Sequence, residues 1–184
     1  MPPAPPFPIL ISNAQIRRRT HELARQIAAA HQDAPPVLVA VMEGARTFAL
    51  LLARSLPCGL PVHAISASSY GSGTQSSGVV KVVETGDIAV RGRSVLLVED
   101  IVDTGRTVTA MRGHFLSKGA AGFSVVTLLD KPARRVVPVE LRYTGFTIPD
   151  TFVVGFGMDL DGRWRELPDV VLVDAAPAPR PAVH

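Results

Sequence analysis

Short unbroken apolar runs alternate along this chain with longer stretches in which apolar residues return every three or four positions, a pattern that predicts strands separated by helices. Residues 37–42, 62–67, 79–84, 94–99 and 123–129 read as strands. Residues 44–56 and 104–118 read as helices between them, the second ended by Gly119. A further helix precedes the first strand, because Ser12 and Gln15 make a capping box and Ile16, Leu23, Ala24 and Ile27 share one face. Residues 141–143, 152–154 and 170–173 read as short strands among turns. Val95, Leu96, Leu97 and Val98 are apolar without alternation, as expected of a parallel strand covered on both faces. The order implies an α/β fold: a mainly parallel, twisted sheet flanked by helices. No internal repeat accompanies it.

Chemistry is concentrated behind the apolar run at 95–98. Glu99 and Asp100 follow it, at the strand edge where open α/β sheets bind ligands. Thr104, Gly105, Arg106 and Thr107 then open a helix, whose first N–H groups and partial positive charge suit an anion of phosphate size. Asp103 does not serve that anion; its carboxylate suits a sugar hydroxyl, a metal or a proton in transfer. The same Asp-Thr-Gly sequence also forms ordinary strand-to-helix turns with Asp or Thr as the cap. What an ordinary turn leaves unexplained is the crowding of three carboxylates, which costs stability unless a cation or polyol binds.

Composition narrows the class. The 184 residues suffice for one domain with a substantial core, and 47% are hydrophobic. No run reaches 18 apolar residues, so a membrane span is not expected. Residues 1–8 hold five prolines and no charge, unlike a signal peptide, and a cytoplasmic location is the expectation. Residues 1–8 are read as a Pro-rich extension, 9–174 as the single domain and 175–184 as a Pro/Ala-rich tail. Cys58 is the single cysteine and permits no internal disulfide. The net charge of +3 does not call for nucleic acid but suits polyanionic substrates. Arg17, Arg18 and Arg19 read as a solvated helix face. There is no Walker-type loop, no Gly-x-Gly-x-x-Gly, and the histidines lack metal-ligand spacing.

The stretch from Glu99 to Thr107 resembles the ribose-phosphate motif of the type I phosphoribosyltransferases. Three further segments sharpen the likeness: Ser68-Ser69-Tyr70-Gly71-Ser72-Gly73, Leu128-Leu129-Asp130-Lys131-Pro132, and Ile148 to Gly155 followed by Met158-Asp159 and Trp164-Arg165. Together, over about residues 9–173, they resemble the hypoxanthine-guanine phosphoribosyltransferases. That resemblance implies purine salvage: transfer of a phosphoribosyl group from phosphoribosyl pyrophosphate to hypoxanthine or guanine, with a hood from about 9–20 and 132–174 over the purine. It implies Mg2+ as cofactor, held by Glu99, Asp100 and Asp159, with Glu99 and Asp100 also on the ribose hydroxyls. Asp103 would be the catalytic group facing N7, and Thr104, Gly105, Arg106 and Thr107 the 5-phosphate cradle. Glu43, Gly44 and Arg165 would meet pyrophosphate. Lys131, Phe152 and Val153 would bind the base, and Ser69 and Tyr70 would belong to a closing loop in residues 68–78, where eight of eleven residues are Ser or Gly.

Physical demands agree with several of these roles. Breaking the bond from ribose to pyrophosphate leaves positive charge on the sugar and negative charge on the leaving group, so carboxylates and cations are both needed. Lys131 has donors and no acceptor, which suits a 6-oxo group and opposes a 6-amino group. One departure stands out. The family commonly places a basic residue before Gly44, whereas this chain has Glu43, which either faces solvent or a neighbouring subunit or weakens pyrophosphate binding. The rival readings are a phosphoribosyl-pyrophosphate-sensing regulator that binds nucleic acid and a xanthine-preferring transferase. Asp103, Lys131, Phe152 and Asp159 together favour the enzyme, with a homodimer or homotetramer expected and neither nucleic acid nor membrane as partner.

Overall fold

The computed structural model describes residues 7–57, 59–69 and 80–173, with only the backbone for Ser68 and Ser69. The expectations for Tyr70 and the rest of the Ser/Gly loop, for Cys58 and for both tails lie outside the described residues. The elements run β1 (Ile9–Ile11), α1 (Asn13–Ala30), β2 (Val37–Met42), α2 (Arg46–Ser55), β3 (Val62–Ser69), β4 (Val80–Glu84) and β5 (Ser94–Val102). They continue with α3 (Arg106–Ser117), β6 (Gly122–Asp130), a single 3-10 turn at Pro132–Arg134, β7 (Tyr143–Thr147), β8 (Val153–Val154) and β9 (Val170–Leu172).

Six strands form one sheet in the order β4-β3-β2-β5-β6-β7. All its neighbours are parallel except the β3-β4 pair. Strands that are buried on both faces must divide their side chains between two cores, and β5 does so. Leu96 and Val98 join the core under α1 and α2, while Val95 and Leu97 join the core under α3. A crossover helix on each face is what parallel neighbours require.

The N-terminal capping box forms as the sequence predicts: the Ser12 amide donates to Gln15 Oε1 at 2.8 Å and the Gln15 amide to Ser12 Oγ at 3.4 Å. Arg17 to Arg19 do not behave as one solvated face. Arg19 reaches the edge strand, donating to the Thr144 and Gly145 carbonyls at 2.8 and 3.0 Å, and pairs with Glu22 at 2.8 Å. Arg17 and Arg18 are exposed.

Two strands shift and one is added. β5 continues from the expected end at Glu99 to Val102, so Asp100 belongs to the strand as well. The strand expected at 141–143 lies at Tyr143–Thr147, because pairing with β6, and not an apolar run, defines that edge. The third change is an addition, β1, which completes a small second sheet in the order β1-β9-β8. A strand of three residues carries no readable period; its partner β9 lies some 160 residues away and supplies the pairing.

Candidate active site

Successive strand residues point to opposite faces, and this separates Glu99 from Asp100. Glu99 is only 4% exposed and lines one small cleft with Asp103, Gly105 and Thr107. Burial, reinforced by the charges of Asp100 and Asp103, holds its carboxyl well above the usual carboxylate range. Asp100 points the other way, toward the loop after β2. Its carboxylate presses so closely on Gly44 that a Cβ there would lie 1.8 Å from Oδ2. Burial pushes the Asp100 pKa up to about 6, against backbone hydrogen bonds and the pull of Arg165 and with the push of Asp159.

The turn into α3 satisfies one amide itself, Arg106 N–H donating to Thr104 Oγ1 at 3.5 Å, and leaves the next ones to a ligand. Gly105 sits at φ +84°, in the left-handed region, and carries no capping side chain. A Cβ on Gly105 would meet the Val137 carbonyl at 2.5 Å, so residue 105 has neither the conformation nor the space for a side chain. The Thr104 carbonyl accepts from both Val136 and Val137 N–H, at 3.0 and 2.9 Å. Asp103 accepts from the Thr104 amide, so part of its carboxylate shapes this loop, as an ordinary turn would have it do. The first turn of α3 contains no acidic residue. Together these features leave a helix N-terminus suited to an anion.

Lys131 is carried to the same end of the sheet by β6 and is 9% exposed, its amide bonded to the Val102 carbonyl at 2.9 Å. Burial pulls its pKa down, while the charges of Asp150 and Asp103 oppose that shift. Asp130, just before it, pairs with Arg135, whose stem lies against Gly105. Phe152 is 49% exposed and Val153 is buried, so an aromatic face is offered beside a closed backbone.

The small sheet brings the remaining groups over the β2 loop. Arg165 pairs with Asp159 at 2.8 Å and donates to the Gly157 carbonyl at 2.8 Å. Asp159 also accepts from the Gly162 amide at 2.7 Å. Gly157 abuts the Gly44 carbonyl, where a Cβ would come within 2.5 Å. Gly44, Asp100, Asp159 and Arg165 therefore share one corner, and Glu99, Asp103, Gly105 and Thr107 share the other. Glu43 is not drawn in: its side chain is 61% exposed and lies 3.9 Å from Arg46. The peptide between Met42 and Glu43 is cis. No local sequence signal marks Val137, Arg135 or Gly157. Val137 and Arg135 sit in a loop whose pattern is neither strand nor helix, and Gly157 is one glycine among 15.

Among the described residues no three His, Cys, Asp or Glu side chains converge as a closed metal cage. Nor is any helix there long and apolar enough to cross a membrane. A second cavity of about 430 Å3 opens behind α3 between Arg112, Phe123 and Arg142 and shares only Val137 with the site residues named above.

The family model for the phosphoribosyl transferase domain matches residues 10–161. The chain is 40% identical over 162 residues to the hypoxanthine-guanine phosphoribosyltransferase of Lactococcus lactis, covering 88% of each protein. It is also 40% identical over 160 residues to a bifunctional TilS/HprT protein of Listeria innocua, of which it spans about a quarter of the length. A crystal structure of a hypoxanthine-guanine phosphoribosyltransferase from Bacillus anthracis superposes with a TM-score of 0.85 at 38% identity, over 90% of this chain and 98% of that one.

Proposed function

This chain belongs to the phosphoribosyl transferase family, and we propose that it transfers the phosphoribosyl group of phosphoribosyl pyrophosphate to hypoxanthine or guanine, a purine salvage reaction that releases pyrophosphate. The observation that carries this reading is the two-cornered site at the end of β5, with carboxylates on both faces of one strand, the N-terminus of α3 at one corner and the Asp159–Arg165 pair at the other.

Each group then has a task set by charge. Thr104 to Thr107 take the 5-phosphate through the amides and hydroxyls that open α3. Glu99 and Asp100 accept from the ribose hydroxyls and stabilise positive charge developing at C1. Their burial makes them poor bare anions, which favours occupancy by hydroxyl donors or a cation. Arg165, with the backbone around Gly44, takes the leaving pyrophosphate. Asp103 accepts the N7 proton of the purine or hydrogen-bonds it as the ring attacks. Lys131 donates to the 6-oxo group, Phe152 stacks on the ring, and the Val153 backbone meets its edge.

Asp100 and Asp159, which share one corner, would hold Mg2+ there, while Glu99, on the opposite face of β5, would stay with the ribose; that ion binds few protein carboxylates and keeps waters and substrate oxygens, so no closed cage is required. When bound it would neutralise charge on pyrophosphate. The proposal extends to a homodimer or homotetramer in the cytoplasm. The deciding experiment is a panel of hypoxanthine, guanine, xanthine and adenine with phosphoribosyl pyrophosphate, with Mg2+ and then with excess chelator. Nucleotide from the 6-oxopurines that disappears with chelator is the expected result. No nucleotide from any base would reject the reading, and preference for xanthine would reassign its substrate.

A further inference from the structure

The loop that carries Arg165 is held from outside the site. Leu160 and Arg163 close a tight hairpin, each amide bonded to the other's carbonyl at 3.3 and 3.1 Å, around Asp161 and Gly162 at φ +52° and +76°. Two left-handed residues in succession are the mark of a type I′ turn, and Asp-Gly suits it. Trp164 comes next, at φ +71°. A bulky residue pays for that conformation, so it persists only where neighbours over-determine it. Here the neighbours are Phe7, whose ring meets the indole edge to face with centroids 5.3 Å apart, and Arg163, whose guanidinium lies 4.7 Å from the indole centroid.

Phe7 is itself anchored. The Leu172 amide donates to the Pro8 carbonyl at 2.9 Å, and Phe7, Trp164, Leu160 and Leu167 pack on Val154, Val171 and Val173. On the far side of Trp164, the Arg165 carbonyl accepts from Gly157 N–H at 3.0 Å while its guanidinium holds Asp159 and the Gly157 carbonyl. A rotation about the Trp164 backbone would carry Arg165 off both partners.

We propose that Phe7 is a positioning residue for the pyrophosphate corner: its ring wedges Trp164 in place and thereby fixes the Arg165 guanidinium beside Asp159 and Gly157. The inference rests on the reading of Arg165 as a pyrophosphate ligand. It gives the segment preceding β1 a part in leaving-group binding, although that segment touches none of the reacting groups.

The test uses the full chain and Mg2+-pyrophosphate as the probe, titrated by calorimetry, so that it does not depend on turnover. Trp164 is the single tryptophan of the chain and reports its own surroundings by fluorescence. Phe7→Ala is expected to shift the emission to the red and to weaken pyrophosphate roughly tenfold, about 1.4 kcal/mol, while KM for hypoxanthine stays within about twofold. Phe7→Tyr, which keeps the edge-to-face ring, is expected to restore wild-type affinity. Trp164→Gly accepts the positive φ without the wedge and should lose affinity like Phe7→Ala. A red shift with unchanged pyrophosphate affinity, or a Trp164→Gly protein that binds as the wild type does, overturns the inference. So does a wild-type protein that fails to bind the probe. If the wild type binds pyrophosphate yet forms no nucleotide, the transferase reading fails and the calorimetric comparison still decides this one.

Discussion

Gly44→Ala adds one methyl group in the corner that holds Asp100, Asp159 and Arg165. Its Cβ would lie 1.8 Å from Asp100 Oδ2 and 2.6 Å from Cγ. Ordinary contact between heavy atoms is near 3.5 Å, so the carboxylate must retreat by roughly 1.5 Å. Gly44 has no positive φ, so alanine fits the backbone and the perturbation is confined to that contact. A displacement of about 1 Å in a reacting group costs on the order of 100-fold, or about 2.7 kcal/mol of barrier. Steady-state kcat/KM for phosphoribosyl pyrophosphate at saturating hypoxanthine should fall by that factor. Overpacking costs about 1–3 kcal/mol of stability, which a melting curve will resolve from global unfolding. The mechanism is separable by a double-mutant cycle. In Asp100→Asn the charge is already gone, so adding the methyl should cost less than about threefold more. A wild-type rate in Gly44→Ala, or the full loss repeated in the Asp100→Asn background, would refute the reasoning.

Three other outcomes are expected. Lys131→Gln should slow the 6-oxopurines and shrink their preference over adenine, which for a donor-only site can reach about 10^4; kcat/KM for the three bases measures it, and an unaltered ratio would move base recognition elsewhere. Glu43→Lys should change pyrophosphate affinity by less than about twofold, since this side chain is exposed beside Arg46; a fivefold tightening by calorimetry would put Glu43 in the site after all. Without divalent cations, Asp100 should make the folded protein less stable as pH rises from about 4 to 6, because a carboxyl raised from 3.8 to about 6 binds more protons folded than unfolded in that window. The contribution is at most about 3 kcal/mol, and His31, whose pKa burial pulls down, acts in the opposite sense. The readout is therefore the difference in melting between wild type and Asp100→Asn at pH 5 and 7, and identical pH slopes would contradict it.

The sheet's central strands and flanking helices were legible in the chain's pattern, because unbroken apolar runs and three-to-four spacing follow from burial on both faces and on one stripe. The candidate site was equally legible there, since Glu99 to Thr107 are contiguous and their charges and hydroxyls are inherently conspicuous. Their arrangement was not legible. Whether Glu99 and Asp100 act together or on opposite faces depends on where β5 stops, and pairing with β6 carries it through Val102. Whether Glu43 faces the leaving group depends on a loop direction that no local pattern encodes. The small sheet, the closure of Gly157 on Gly44 and the wedge of Phe7 on Trp164 join residues more than a hundred positions apart. Contacts of that range exist only once the chain has buried its two cores, so tertiary packing alone decided them.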